Sequence, residues 1–269
     1  MTTTRRPWIA LVLAWAVAVF GVGYLSYRQG EHTDREQSPI GQALPMLDAV
    51  LGDVAAALPA GAGVVPVLSD YLPVEQDCGI TVVRDGIRYQ RVLELYVSPT
   101  GVTALLEGIA AGLPARYRAR MDTRFDAPEL ALDTGKFVGV RATTPAPGRV
   151  QIAADTGCRA AEGPVRFVER VADPSARAPV QAVLDAVGLP ASAWRSYRIT
   201  CSGGGELRTV EARTGGMSAT AVGGALPPSA RRFPGEPGAP ETYTFRSGGV
   251  AVAVRVGAEY STVTATTTC

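Results

Sequence analysis

Residues 78–97 read CGITVVRDGIRYQRVLELYV. Two extended stretches, Gly79–Val83 and Ile87–Val97, flank Arg84-Asp85-Gly86. An Asp-Gly pair between β-rich runs is a strong hairpin signal, so the segment predicts two antiparallel strands with a cysteine at the head of the first. A second cysteine heads a similar run: residues 201–213 read CSGGGELRTVEAR. There the turn is expected at Ser202–Gly205 and the returning strand at Glu206–Arg213.

Working outward, the parallel continues on both sides. Upstream of the first hairpin, Ser38-Pro39 has the form of an N-cap followed by a first-turn proline. Ile40, Leu44, Leu47, Leu51, Val54 and Leu58 then recur at helical steps until Pro59. Upstream of the second, Asp173-Pro174 opens a helix with the stripe Val180, Val183, Leu184 and Val187, closed by Gly188-Leu189-Pro190. A tyrosine, Tyr71 or Tyr197, separates each helix from its cysteine.

Downstream, Val102–Leu113 predicts a helix. Its counterpart, GGMSATAVGGALPP at 215–228, is glycine-rich and weak in helix propensity. The first half closes on a hairpin, Lys136–Thr143 and Arg149–Asp155, before Cys158. The second closes on Thr242–Arg246, Val250–Val256 and Tyr260–Thr268 before Cys269. Alternation at Val250, Val252, Val254 and Val256 marks a half-buried strand, and the threonines of 262–268 suit a strand with one wet face. The expected class is therefore α+β: two tandem, duplicated α-β-β-(α)-β-β modules, 38–172 and 173–269. Leu44, Leu47, Leu51, Phe137, Val140, Val180, Leu184, Val252 and Val254 are expected in the core.

The N-terminal region reads differently. No charged residue occurs between Trp8 and Tyr27, and Arg6 and Arg28 bracket that stretch. Twenty helical residues at about 1.5 Å each match the hydrocarbon thickness of a bilayer. Basic residues before the span favour a cytoplasmic N-terminus, and Trp8, Tyr24 and Tyr27 suit the interfaces. We expect a cytoplasmic segment at 1–7, a transmembrane signal anchor at 8–27 and a stalk at 28–37, with the rest outside the cytoplasm. A cleaved signal peptide is the competing reading. The lipid bilayer is then a partner through residues 8–27, and an envelope protein or wall polymer is a further candidate. Lys136 is the single lysine among 26 basic side chains; with abundant Ala, Gly, Val and Pro this has the look of a high-GC, actinobacterial genome.

Four cysteines, Cys78, Cys158, Cys201 and Cys269, in an external region read as two disulfides. Structural zinc would need closely spaced ligand pairs, which are missing. A duplicated fold favours Cys78–Cys158 with Cys201–Cys269. Second is Cys78–Cys201 with Cys158–Cys269, and third the nested Cys78–Cys269 with Cys158–Cys201.

Composition narrows the chemistry. The 269 residues have a net charge of +1 and one histidine, His32, beside the membrane segment. That removes Ser-His-Asp and Cys-His sites. No G-x-S-x-G, G-x-x-x-x-G-K-[ST] or calcium-loop run occurs. No catalytic set, cofactor or metal is expected, and an external basic run flanked by acids does not suit nucleic acid. The remaining candidate is a charged interaction patch at Arg116, Arg118, Arg120, Asp122, Arg124 and Asp126. The expected role is non-catalytic binding, sensing or scaffolding at a bacterial cell envelope. The alternative is an envelope hydrolase using two carboxylates, which need no motif.

Overall fold

The computed structural model describes residues 6–29, 39–59, 63–81, 84–124, 127–135, 138–160, 174–235 and 240–269. Helix α1 spans Arg6–Gln29. Its large apolar side chains described between Leu11 and Val22, Phe20 among them, are exposed. Among the described residues no helix is long and apolar enough to cross a membrane.

The remainder is built twice to one plan. In the first half, helix α2 (Ile40–Ala56) leads to strands β1 (Val65–Thr81) and β2 (Arg84–Tyr96). Helix α3 (Val102–Gly112) follows, then β3 (Arg120–Asp122), β4 (Glu129–Asp133), β5 (Gly139–Ala146) and β6 (Arg149–Asp155). In the second, helix α4 (Pro174–Val187) leads to β7 (Ala193–Thr200) and β8 (Glu206–Gly215). Helix α5 (Ala219–Ala225) follows, then β9 (Arg231–Phe233), β10 (Glu241–Ser247), β11 (Val250–Val256) and β12 (Tyr260–Thr267). The sheets run β1-β2-β6-β5-β4-β3 and β7-β8-β12-β11-β10-β9, antiparallel throughout. Both α2 and α4 carry an internal proline, Pro45 and Pro179, at the sixth helical residue. Each sheet is closed by one disulfide, Cys78–Cys158 and Cys201–Cys269, with Cα atoms 5.9 and 6.1 Å apart.

Several local expectations change. Each half has six strands rather than four or five, β3, β4 and β9 being additional, and the glycine-rich second helix forms as α5, capped by the Ser218 hydroxyl accepting from the Ala221 amide. Helix α2 begins at Ile40 with Pro39 at its cap and no side-chain capping bond, and ends at Ala56, short of Leu58. Gly188 and Leu189 close α4 by donating to the carbonyls of Asp185 and Leu184, the paired bonds of a left-handed glycine stop. Asp85-Gly86 is not the turn of the first hairpin. Both lie in β2, opposite Gly79 and Cys78, and the chain reverses between Thr81 and Arg84. Glycine is required at 86 for a different reason: a Cβ there would lie 2.4 Å from the Arg159 carbonyl oxygen. Ser38, Phe137, Lys136, Asp126, Asp173 and stalk residues 30–37 lie outside the described residues.

The two halves share a core. The eight other core positions named above are buried. Leu47, Leu51, Leu93, Leu106 and Ile152 pack in one cluster that also takes in Tyr197, Ile199, Cys201 and Leu207 of the second sheet. Helix α2 lies so close to β7 that a Cβ on Gly52 would stand 2.1 Å from the Thr200 carbonyl oxygen. Strand alternation assigns the faces of the second sheet. Val210, Ala212, Val252, Val254 and Val263 pack with α4 and α5. The opposite face, expected to be wet, is largely covered by β1 and β2: Thr209, Thr264 and Thr266 are buried, and the Leu68 amide donates to the Thr209 hydroxyl at 3.0 Å.

Candidate functional site

The patch expected at 116–126 separates into independent local pairs. Arg116 Nη2 reaches Asp53 Oδ2 at 2.6 Å, and the Tyr117 hydroxyl donates to the same oxygen. Both therefore tie the chain after α3 back to α2. Arg118 faces Asp133 at 3.5 Å, both exposed. Asp122 accepts from the side chain and backbone of Arg124, which hold its carboxyl down at about 2. Arg120 is exposed on β3.

The charged groups that do converge lie where the sheets meet. Glu94, on β2, is buried, and its two carboxylate oxygens accept from Arg149 on β6 and Arg255 on β11. Arg255 also reaches the Tyr96 hydroxyl at 3.3 Å, and that hydroxyl donates to Thr242 Oγ1 at 3.4 Å. The Tyr96 phenol is pushed up by burial and by the neighbouring Glu94 carboxylate. Around this network is a cleft of about 30 Å³, lined by Val67, Tyr96, Glu211, Thr242, Arg255 and Thr264. Burial pushes the Glu211 carboxyl upward; Arg195, Arg255 and a hydrogen bond from Tyr197 oppose the shift, and Asp70 adds to it.

Comparison with protein-family models, curated proteins and solved structures finds no match.

A second clamp lies on the helix side of the first sheet. Arg91 is buried, donates to Asp48 of α2, to the Ser69 carbonyl at 3.2 Å and to the Arg198 carbonyl of β7 at 3.2 Å, and lies over the Tyr71 ring. One side chain thus joins α2, β1 and the second sheet. Burial, and next the hydrogen bond to Asp48, push the Tyr71 phenol up.

Neither cluster is arranged for nucleophilic chemistry. Both oxygens of Glu94 and both oxygens of Asp48 accept hydrogen bonds. The cleft is smaller than the roughly 300–1,000 Å³ usual for small-molecule sites. Among the described residues no group of three His, Cys, Asp or Glu side chains is placed to hold a metal ion. Glu94 and Glu211 are not among the candidates that the sequence offers. Period-2 alternation does mark them as one face, but it carries no information on whether that face meets water or another sheet.

Proposed function

We propose that this chain is a single-pass membrane protein of a bacterial, actinobacterial cell envelope, anchored by residues 8–27, with residues 28–269 outside the cytoplasm in a non-catalytic binding, sensing or scaffolding role. The observation that carries the reading is the combination of an apolar helix with exposed side chains and a body closed by two disulfides. Apolar side chains on every side of a helix suit lipid better than water, and disulfides persist where the surroundings are oxidising. A binding role is supported over the hydrolase alternative by the small cleft and the fully engaged Glu94 carboxylate.

The test is a pair of fusions after Cys269. A reporter active only outside the cytoplasm should be active there, and one active only in the cytoplasm should be silent. The reverse pattern overturns the proposal. Replacing Arg5 and Arg6 should weaken the orientation, because they supply most of the inside charge.

A further inference from the structure

The register of the second sheet places four side chains in an open ledge at the mouth of the inter-sheet cleft. Arg255 of β11 pairs with Thr262 of β12, which pairs with Arg213 of β8. Paired residues on adjacent strands share a face, at about 4.8 Å per strand. The two arginines therefore flank one hydroxyl across about 10 Å, on the face that β1 and β2 cover elsewhere. Two residues before Thr262, on the same face, stands Tyr260. Here the cover ends: Tyr260 is 48% exposed, Arg255 keeps 42% of its side-chain surface, and Arg213 is exposed.

Arg213 is held over the Tyr260 ring with its guanidinium carbon 3.8 Å from the ring centroid. Among the described residues it forms no ion pair, so stacking orients it without consuming its charge. Arg149 and Arg255 share Glu94, and Glu211 faces Arg255 and Arg195, so among the described residues Arg213 is the cation of the ledge whose charge no neighbouring carboxylate answers. Thr242 and Thr264 of the adjoining cleft are buried and hydrogen-bonded within the protein, so the hydroxyl that the ledge presents is that of Thr262.

We propose that this ledge binds an acidic polysaccharide. Guanidinium groups in fixed orientation recognise carboxylate or phosphate, the half-exposed Tyr260 ring offers a stacking surface for a sugar, and the Thr262 hydroxyl suits a polyol. An open row across a sheet fits an extended polymer better than a small molecule enclosed on all sides. The proposal deepens the external binding role and rests on it for the choice of a saccharide over a nucleic acid.

The test uses the full chain in detergent, with both disulfides verified by mass spectrometry. Polygalacturonate is the probe, neutral dextran the control, and a single-stranded oligonucleotide the competing polyanion. Polygalacturonate should bind in low salt and dextran should not. Arg213→Gln and Tyr260→Ala should each weaken binding by about tenfold, equivalent to about 1.4 kcal/mol, whereas Arg118→Gln, remote from the ledge, should leave it unchanged. Both test variants alter exposed side chains, and unchanged thermal melting will confirm that the fold is retained. Absence of polygalacturonate binding, equal loss in Arg118→Gln, or tighter binding of the oligonucleotide each overturns the proposal. The measurement is made on purified protein, so its failure is distinct from a failure of the topology fusions.

Discussion

Glu94 of the first sheet accepts a hydrogen bond from Arg255 of the second, and the same carboxylate accepts from Arg149 within its own sheet. One buried acid thus bridges two cations that would otherwise face each other across the join. Removing one partner of a buried pair costs about 3–5 kcal/mol. Solvent at Arg255 moderates this, so Glu94→Ala should lose about 2–3 kcal/mol. Urea unfolding will show it as a lower midpoint at unchanged slope.

Two glycine substitutions should act in opposite directions. Gly52→Ala drives a methyl group into the Thr200 carbonyl and should destabilise by about 1–3 kcal/mol, despite alanine's better helix propensity. Gly108→Ala, in α3 with nothing within 4 Å of its new Cβ, should stabilise by up to about 1 kcal/mol. Thermal melting of the two variants side by side decides whether α2 is pressed against the second sheet as described.

The second disulfide should protect more than its own sheet. Cys201 packs in the cluster that contains Leu47 and Leu51 of α2. The bridge closes a separation of 68 residues, for which chain entropy gives about 4 kcal/mol. Replacing Cys201 and Cys269 together by serine should lower stability by a few kcal/mol and loosen α2 as well. Hydrogen exchange in residues 40–56 is the readout; retained protection there would show the halves to be independent.

Glu211 predicts a pH dependence. Its carboxyl titrates higher in the folded chain than in the unfolded one, chiefly because of burial. Between those two values the folded state holds the extra proton, so stability falls as pH rises from the ordinary carboxylate range through the elevated value. Glu211→Gln should flatten this fall and be relatively more stable at neutral pH. Unfolding midpoints for both proteins from pH 4 to pH 8 test it.

The helices and the paired cysteines were readable in sequence because each rests on a local rule: a stripe of leucines and valines, a closing glycine, a recurring cysteine. Strands β3 and β9 were not, since three residues such as Arg120–Asp122 are too few to show a period. Asp85-Gly86 carried a genuine turn signal, but the glycine answers to a tertiary contact with Arg159. Glu94 and Glu211 escaped for the same kind of reason. Their strands alternate as a solvated sheet would, and the partner that covers them is distant in the chain.

The buried threonines of the second sheet bear on how the two halves can come together. Thr209 and Thr266 are hydrogen-bonded to each other at 2.8 Å across neighbouring strands, and hydroxyls of this kind are equally satisfied by water. Beside them, the same face carries Tyr197, Ile199, Leu207, Phe233, Ala251 and Ala253, buried against the first half, so before the halves dock it presents a mixture of hydroxyls and hydrocarbon. A second half held apart from the first would therefore offer neighbouring molecules an apolar patch. The surface becomes an interior only when its own companion closes over it.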